Sequence, residues 1–504
     1  MTDDIWMKLA FRGGMRRRAR GGATLVLNGA QMGLSRRAVG DTCLSGERRV
    51  LLAAMEMGIG KTLGSLAALC VLRGAAQGKI RALFVVPKST LHDAWLRQTR
   101  AFTRLRESDA SFITYPQMQR AFISGWHREG GSSGDWVRGK GSAILEQAWD
   151  LLIFDESHTL RNPKRASVLG SAAAAAAKGA KRVICLSGTP IHNGPRDASG
   201  QLRAMMSGSG LEETNSFTSL SGLRVDAVER FSSRYVYSAT LEDAGITLPP
   251  KRTVTHYVEH ELRGEMAVAY NAALESCRGG REPGKREGSE HHMMTLRQLC
   301  TEAALYHKYG EDSFNETARQ KAAANPGPKI REAMSLVRLL TLEGHEKVVI
   351  VSDFVSLLDT FKIAALKNLG EECLSFDGRL SAKKRCEVID EFLHSDRRLL
   401  CLSMGAGACG LNLVPGPTAM IVLGVWFNPA VHRQVEARIH RIGQNKPVVI
   451  YNIVARGTIE EEILASHESK ILCAEAILSG DVGLAGQQQP GTERLAERCK
   501  RIIE

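Results

Sequence analysis

Short, almost uninterrupted apolar runs recur along the chain and alternate with segments rich in alanine and leucine. Runs this uniform are typical of strands that are covered on both faces, and their alternation with helix-prone segments predicts an α/β fold with parallel sheets. In such sheets ligands bind at the carboxyl ends of the strands. The runs that end in polar residues or glycine lie at 50–54, 82–86, 151–154, 183–186, 348–352, 399–403, 419–423 and 448–455.

The chain has 504 residues, which is too long for one hydrophobic core. Between Ile191 and Pro328 the strand pattern stops, and helix-compatible polar segments take its place. We therefore expect two α/β lobes separated by a helical insertion. The predicted boundaries are a basic flexible N-terminal arm (1–22), a first lobe (23–208), the insertion (209–328), a second lobe (329–480) and a C-terminal tail (481–504).

The chain is basic, with 67 Lys and Arg against 54 Asp and Glu, which favours a polyanionic partner such as nucleic acid. The arginines of the predicted arm could contact DNA phosphates or act in nuclear import, or the arm could be a solvated terminus. No apolar run approaches 18 residues, so no membrane partner is expected. Eleven cysteines without a CxxC pair predict thiols in a reducing compartment.

A glycine-rich loop joins the first apolar run to a helix-prone segment. Its two glycines allow backbone conformations that turn N–H groups toward an anion, and the helix that follows adds its positive end. The pattern predicts that Lys61 reaches the phosphates of a nucleotide and that Thr62 holds Mg²⁺. Met55 stands where the phosphate-loop pattern has a glycine, and the alternative is a plain turn. The predicted nucleotide-binding loop is Met55, Glu56, Met57, Gly58, Ile59, Gly60, Lys61 and Thr62.

Two adjacent carboxylates follow the strand-like run 151–154. Buried carboxylates are costly without a cation or polar partner, so Asp155 is predicted to hold Mg²⁺ and Glu156 to orient and deprotonate the attacking water. The alternative is a salt-bridged surface turn. His158 is included in the predicted nucleotide site. The segment 187–190 (SGTP) either senses the γ-phosphate or is an ordinary turn.

Amides and arginines complete the candidate site. Gln31 could read the adenine edge with its donor and acceptor, or it could be an exposed helix residue. If the segment QVEARIHRIGQ is helical, Gln434, Arg438 and Arg441 lie on one face, at i, i+4 and i+7. Such a face is either solvated or, where a neighbouring domain presents ATP, catalytic. Gln444 is added to the predicted nucleotide contacts.

In this order the motifs resemble the SNF2 family of superfamily 2 helicase-like ATPases from about Gln31 to about Leu464. The segments that carry the resemblance are MEMGIGKT (55–62), FVVPKSTL (84–91), ITYPQM (113–118), DESHTLRNP (155–163), LSGTPIHN (186–193), LPPK (248–251), LRQLC (296–300), VIVSDF (349–354), FDGRLSAKKR (376–385), SMGAGACGLNL (403–413), WFNP (426–429), ARIHRIGQ (437–444) and ARGTIEEEI (455–463).

The resemblance implies two RecA-like lobes that hold ATP and Mg²⁺ between them, helical protrusions, and translocation on double-stranded DNA without obligatory strand separation. It makes Gln31 the adenine-reading glutamine and Arg438 and Arg441 the arginine fingers. Four residues then lie in motifs that track the DNA backbone: Lys88, Ser89, Ser403 and Asn412. Nucleosomes or transcription factors are possible partners, and the nucleus, or the host nucleus for a virus, is the expected location, with the cytoplasm as the alternative. The compact chain is similar to the small versions carried by large DNA viruses, such as the global transactivators of baculoviruses.

Three positions depart from the family pattern. Met55 replaces an aspartate, Asp353 replaces a glutamine, and Gly405 replaces a basic residue. The hydrolytic residues are intact, so the leading hypothesis is a DNA-stimulated ATPase. The competing hypotheses are a DNA-binding transcriptional regulator with negligible ATPase activity and a strand-separating helicase.

Overall fold

A computed structural model describes residues 3–18, 25–40, 49–128, 136–138, 143–161, 167–192, 194–206, 225–259, 265–278, 287–301, 320, 323–344, 346–407 and 411–481. The chain divides into two compact units. Lobe 1 runs to Thr247 and also contains the chain from Lys470, and lobe 2 runs from Leu248 to Ser469.

Six strands of lobe 1 form one parallel sheet in the order β3-β2-β6-β7-β1-β8, and β4 pairs with β5 in a separate antiparallel ribbon. The strands are β1 (Arg49–Met55), β2 (Ala82–Val86), β3 (Ala110–Thr114), β4 (Trp126–Arg128), β5 (Trp136–Arg138), β6 (Leu151–Asp155), β7 (Arg182–Ser187) and β8 (Val236–Ala239). The helices are α1 (Asp3–Arg12), α2 (Gly29–Val39), α3 (Lys61–Ala75), α4 (Arg97–Phe102), α5 (Tyr115–Gly125), α6 (Ala143–Glu146), α7 (Val168–Lys178), α8 (Pro195–Met206) and α9 (Val225–Tyr235), with a π-helical turn at Leu91–Leu96 and a 3₁₀ turn at Ser157–Leu160.

Lobe 2 repeats this plan with a second parallel sheet of six strands, in the order β11-β12-β10-β13-β14-β9. Its strands are β9 (Lys251–Glu259), β10 (Val348–Ser352), β11 (Cys373–Phe376), β12 (Leu399–Ser403), β13 (Ala419–Leu423) and β14 (Val448–Arg456). Its helices are α10 (Glu265–Arg278), α11 (Glu287–Thr301), α12 (Pro328–Val337), α13 (Val355–Leu369), α14 (Ala382–His394), α15 (Met404–Gly407), α16 (Pro429–Glu436) and α17 (Ile459–Ser479), with a π-helical turn at Arg338–Glu343. The end of α17, from Lys470, belongs to lobe 1.

The central strands of each sheet bury both faces, as their apolar runs predicted. In β6, Leu152 and Phe154 pack into one core of lobe 1, whereas Leu151 and Ile153 pack into the other. The strands of lobe 2 divide in the same way between two cores. Because successive side chains of a strand point to opposite faces, only a strand covered on both sides requires an uninterrupted apolar run. The predicted parallel α/β architecture is confirmed.

The prediction of a purely helical insertion at 209–328 is wrong, since two strands lie within it. β8 completes the sheet of lobe 1, and β9 completes the sheet of lobe 2 through nine residue pairs with β14. Both are edge strands, so their side chains are partly exposed and polar residues break the apolar run. Lobe 2 therefore begins near Leu248 and not at residue 329.

The prediction of a flexible N-terminal arm is also wrong for its described part. Residues 3–12 form α1, which packs on α3 through two glycines. A Cβ on Gly13 would lie 1.6 Å from the carbonyl oxygen of Cys70, and a Cβ on Gly74 would lie 2.2 Å from that of Leu9. These glycines thus permit close helix packing and do not mark a loop. Residues 1–2 and 19–22 of the arm, and residues 482–504 of the predicted tail, lie outside the described chain.

Candidate functional site

The loop between β1 and α3 has the geometry of an anion cradle. Gly58 (φ +88°) and Gly60 (φ +96°) take left-handed conformations, which place backbone N–H groups on one side of the loop. α3 begins directly after Gly60, and no side chain caps its first turn. The ammonium of Lys61 donates to the carbonyl oxygens of Met55 (3.0 Å) and Glu56 (3.2 Å). The first turn of α3 can therefore receive an anion, with Lys61 beside it and Thr62 as the next helical residue.

Gln31 supports this loop from α2. Its side chain and that of Asn28 form a reciprocal cap at the start of α2, and both amides donate to the carbonyl oxygen of Ile59, at 2.9 Å and 3.1 Å. A Cβ on Gly60 would lie 2.2 Å from Nε2 of Gln31, so another residue here would displace this amide as well as strain φ. Gln31 is buried, so the alternative of an exposed helix residue is wrong. Its adenine contact stays a prediction, for which the amide retains one N–H and one lone pair.

Asp155 ends β6 as a buried carboxylate. Its Oδ2 accepts a hydrogen bond from the indole N–H of Trp95 at 2.8 Å, and its backbone oxygen accepts one from the hydroxyl of Tyr115 at 2.7 Å. Burial, followed by the negative charge of Glu156, raises the pKa of Asp155 to about 6, while Trp95 and the charge of Lys61 oppose the shift. Lys61 therefore compensates the charge of this carboxylate only in part, and a bound cation would supply the rest.

Glu156 connects the carboxylate motif to the SGTP segment. It is a non-glycine residue with φ of +48°, a strained backbone that occurs at functional turns. Its Oε2 lies 3.3 Å from Nδ1 of His158, and the same nitrogen lies 3.1 Å from the hydroxyl of Ser187. Ser187 in turn accepts a hydrogen bond from the backbone N–H of Thr189 at 3.1 Å. A change at either motif can therefore reach the other through His158.

Sequence reasoning missed three buried residues that support these motifs. His192 stacks on His158 with ring centroids 4.7 Å apart, and burial followed by the charge of His158 lowers the pKa of His192 to about 3, so this ring is neutral. Gln201 accepts a hydrogen bond from the hydroxyl of Ser157 at 2.7 Å, and Trp95 binds Asp155. His192 lies within the LSGTPIHN segment, whereas no local pattern marked Trp95 or Gln201.

Lobe 2 brings the two predicted arginines together, but not on a helix. α16 ends at Glu436, and Arg438 and Arg441 lie in the turns that follow, so the predicted helical face is wrong. One guanidinium N–H of each arginine donates to the same acceptor, the carbonyl oxygen of Leu411, at 3.2 Å. Burial lowers the pKa of Arg441. Guanidiniums that converge in this way, one buried and one half-buried, favour an anionic ligand.

The two predicted glutamines of lobe 2, Gln434 and Gln444, are both buried. Gln434 is a buried residue of α16. Gln444 donates to the carbonyl oxygens of Pro417 and Ile439 and accepts from the backbone N–H groups of Asn445 and Lys446. These four bonds use the full capacity of its amide, so the prediction that Gln444 contacts the nucleotide is not supported.

Three of the four predicted DNA contacts lie at or just after the carboxyl end of a strand in their own lobe. Lys88 is exposed and Ser89 half-buried in the turn after β2. Ser403 is the buried last residue of β12, and Asn412 is exposed beside Leu411. Their DNA contacts stay a prediction.

The three departures from the family pattern have different structural consequences. Met55 buries its side chain in the core and gives only its carbonyl oxygen to Lys61, so the substitution leaves the loop geometry intact. Asp353 forms a buried ion pair with Arg297, whose guanidinium also stacks 4.9 Å from the ring of Trp426. Gly405 has open space within 4 Å of where a Cβ would stand.

Comparison with known proteins agrees with this arrangement. The model of the SNF2-related domain matches residues 42–305, and that of the helicase conserved C-terminal domain matches residues 331–443. The chain therefore belongs to the SNF2-related family.

Individual relatives are distant. A DNA repair and recombination protein RAD54-like of Drosophila persimilis is 27% identical over 494 residues, which span 87% of this chain and 62% of the relative. A probable global transactivator of Orgyia pseudotsugata multicapsid polyhedrosis virus is 26% identical over 353 residues, 66% of this chain and 67% of the relative. The SWI2/SNF2 ATPase core of Sulfolobus solfataricus, solved in complex with dsDNA, is 22% identical and covers 94% of this chain and 97% of its own, with a TM-score of 0.38.

Proposed function

We propose that this protein is a DNA-stimulated ATPase that uses ATP hydrolysis to translocate on double-stranded DNA. The observation that carries the proposal is the pairing, in lobe 1, of an anion cradle at Lys61 with a buried carboxylate, Asp155, whose charge is only partly compensated. A cradle for phosphates beside a site for a cation is what a metal-bound nucleoside triphosphate requires.

Mg²⁺ fits the residues present. Asp155 and Thr62 would hold it, and the ion would neutralise charge on the phosphates. Beyond these two residues, the described part of the chain has no group of three or more His, Cys, Asp or Glu side chains placed to bind a metal. An ion held by one carboxylate, one hydroxyl, water and phosphate oxygens is a common form of Mg²⁺ binding.

The remaining residues act on the nucleotide and on water. The loop 55–62 binds the phosphates, and Gln31, His158 and Gln434 line the nucleotide site. Glu156 orients the attacking water and takes its proton. Its contact with His158 holds the carboxylate next to the Ser187 segment, which registers whether a γ-phosphate is present. Arg438 and Arg441 stabilise the negative charge that develops on the transferring phosphoryl group.

The partner is double-stranded DNA, contacted through Lys88, Ser89, Ser403 and Asn412, and the location is the nucleus. Membership of a family whose relatives carry names of DNA repair, chromatin and transactivator proteins supports this assignment. Nucleosomes or transcription factors extend the proposal to a role in transcription or remodelling. Among the described residues no helix is long and apolar enough to cross a membrane.

The test is ATP turnover with and without duplex DNA. Wild-type protein should show turnover that rises on addition of DNA, whereas Lys61→Ala should lose it because the phosphates lose their ammonium contact. Glu156→Gln keeps the shape of the side chain but removes the base, and it should lower turnover by about 10²- to 10⁴-fold while nucleotide still binds. Turnover that duplex DNA does not change would refute translocation.

The competing regulator hypothesis drew on the departures from the family pattern. Met55 leaves the loop intact and Asp353 is paired with Arg297, so only the loss of a basic residue at Gly405 still favours it. A regulator that does not hydrolyse ATP would keep its biological activity in Glu156→Gln. Release of a labelled strand from a forked duplex would instead identify a strand-separating helicase.

A further inference from the structure

A cluster of basic side chains lies on lobe 1 far from the nucleotide loop. The docked N-terminal segment and the segment before β3 contribute most of it, and the turn after α3 contributes the rest. We name this cluster the amino-edge surface, and it consists of the exposed residues Arg12, Arg17, Arg18, Lys79, Arg104 and Arg106.

The location of the surface follows from the parallel sheet. Lys79 precedes β2, and Arg104 and Arg106 precede β3, so these residues lie where strands begin. The nucleotide loop and Asp155 lie where strands end. α3 connects the two edges, because it starts at Lys61 and its last turn packs against Gly13. Fifteen residues of helix separate the edges by about 22 Å. The amino-edge surface is thus distinct from the nucleotide site and from the predicted DNA contacts of lobe 1.

Backbone contacts fix the N-terminal segment in place. Met15 forms an antiparallel bridge with Thr103, the N–H of Arg16 donates to Phe102 at 2.8 Å, and that of Arg104 donates to Gly14 at 2.7 Å. The side chain of Arg16 adds a bond to the carbonyl oxygen of Thr103 at 3.0 Å. Arginines mounted on an ordered backbone lose less conformational entropy on binding than those of a flexible arm.

Positive charge on this surface is only weakly offset. Within residues 12–18, 78–80 and 103–109 the carboxylates are Glu107 and Asp109. Asp109 is buried against Arg73, with a distance of 3.2 Å between Nε and Oδ2, so it compensates an interior charge. It lies 3.8 Å from Arg106, whose side chain is 71% exposed. Within these three segments, six exposed cations are therefore accompanied by one exposed carboxylate, Glu107.

The composition of the surface favours a phosphate backbone over a protein partner. Five of its six cations are arginines, whose planar fork binds phosphate oxygens in pairs. None of the exposed large hydrophobic side chains of the described chain falls in residues 12–18, 78–80 or 103–109. A protein interface normally has an apolar centre, whereas binding to a nucleic acid backbone needs only positive charge.

We propose that the amino-edge surface binds the backbone of duplex DNA as a second contact, independent of the nucleotide site. This inference goes beyond the proposed ATPase function and does not require it, because binding can be measured without ATP. Such a surface would retain the protein on DNA, or hold a second DNA segment, while the nucleotide cycle proceeds.

The test compares two triple variants with the same loss of charge. Arg12→Gln/Arg104→Gln/Arg106→Gln removes half of the surface, and the control Arg338→Gln/Lys367→Gln/Lys446→Gln removes three exposed cations of lobe 2. Binding of a labelled 30-base-pair duplex is followed by fluorescence anisotropy over a series of salt concentrations, without nucleotide. The surface variant should reduce the slope of log K against log salt by about 2 to 3, since each phosphate contact contributes about 0.9. The control should leave the slope nearly unchanged.

Equal slopes for the two variants, with unchanged thermal unfolding, would overturn the proposal. A loss of affinity for single-stranded RNA alone, with duplex affinity retained, would overturn it as well. ATP turnover at saturating duplex should stay within about twofold of wild type, because the surface lies at the opposite edge from the loop. If ATP turnover at saturating duplex falls by as large a factor as the DNA affinity does, these arginines belong to the translocation path. That result would refute a separate surface.

Discussion

The candidate sites of lobe 1 and lobe 2 have opposite electrostatic deficits. In lobe 1 two adjacent carboxylates end a buried strand, and the pKa of Asp155 is raised because burial and Glu156 disfavour its charge. In lobe 2 two guanidiniums converge on the carbonyl oxygen of Leu411, and burial lowers the pKa of Arg441. The site of lobe 1 therefore favours a cation as ligand, and that of lobe 2 favours an anion.

This difference matches the charges of the proposed substrate. If the protein binds a nucleotide with Mg²⁺, the ion would offset the charge of Asp155, and phosphate oxygens would be suitable ligands for the arginines. Neither charge imbalance stabilises the ligand-free chain, since burying a charge without full compensation costs free energy. The cost is recovered only when the ligand binds, which is the usual reason why perturbed pKa values cluster at functional sites.

The largest expected effect comes from removing the guanidinium of Arg441 in lobe 2. Arg441→Ala should lower DNA-stimulated ATP turnover by about 10³-fold or more, because an arginine that stabilises the transferring phosphoryl group contributes 10³ to 10⁵ in rate. Steady-state turnover and nucleotide affinity should be measured together, since the affinity should change far less. Arg433→Ala, at an exposed position of the same segment, is the control. A loss below tenfold would show that Arg441 only holds the loop at Leu411.

The buried ion pair of Asp353 and Arg297 in lobe 2 contrasts with Arg441, because its charges are expected to affect stability and not catalysis. Asp353 and Arg297 neutralise each other, so Asp353→Ala should leave a buried cation unpaired and destabilise lobe 2 by about 3 to 5 kcal/mol. Urea unfolding, with hydrogen exchange at β10 to locate the effect, measures this change. The double variant Arg297→Met/Asp353→Leu removes both charges and should recover most of the loss. If the double variant is as unstable as Asp353→Ala, the ion pair is not the reason for the cost.

The sequence predicted the buried charges well and the supporting geometry poorly. Asp155 and Glu156 could be predicted because two adjacent carboxylates directly follow the apolar run of a buried strand, and ligands bind at such strand ends. β9 was missed because an edge strand has no need of such a run. Arg438 and Arg441 were correctly paired for an incorrect reason, since tertiary contact with Leu411, and not helical spacing, brings them together.

The N-terminal helix and Trp95 show why the remainder was not predictable. α1 ends in one arginine and is followed by two glycines and a run of three arginines, a composition that also describes a disordered arm. Only the structure shows that Gly13 permits close packing of α1 on α3, where it meets Cys70 while Gly74 meets Leu9. Trp95 binds Asp155 across 60 residues of sequence, and no local pattern encodes a contact of that range.

The raised pKa of Asp155 predicts that protein stability and nucleotide affinity depend on pH, an effect of intermediate size. The pKa of folded Asp155 is raised from 3.8 to about 6, so the folded state holds the proton more tightly than the unfolded chain. Stability of the ligand-free protein contributed by this group is therefore present below about pH 4 and is lost as the pH rises through about 6. Binding of Mg²⁺ requires the carboxylate, so the nucleotide should bind about tenfold more tightly at pH 7.5 than at pH 5.

Thermal unfolding with and without a non-hydrolysable ATP analogue and Mg²⁺, between pH 5 and pH 8, measures both trends. Asp155→Asn is the control, because it keeps the pH dependence that the phosphates themselves contribute. The charge-deficit interpretation fails if wild type and Asp155→Asn show the same change of ligand-induced stabilisation with pH.

The smallest expected effect comes from adding a cation at Gly405, where the family pattern has a basic residue and this chain has none. Gly405 follows the first residue of α15, two residues beyond the end of β12, and a Cβ there would meet no atom within 4 Å. The backbone has no positive φ at this glycine, so a side chain can be added without strain. Gly405→Arg should strengthen binding to duplex DNA several-fold at low salt and steepen the salt slope by about 1, the value for one added phosphate contact.

The control for this variant is Gly405→Gln, which adds a side chain of similar reach without charge. Anisotropy titrations with duplex DNA compare the two, and ATP turnover at limiting DNA should rise with the affinity. This cation would act at the carboxyl edge of lobe 2, whereas the amino-edge surface belongs to lobe 1. Its gain in binding free energy should therefore be the same in wild type and in the amino-edge triple variant. An unchanged salt slope in Gly405→Arg would mean that DNA does not pass this turn, and the predicted contacts at Ser403 and Asn412 would then have to be abandoned as well.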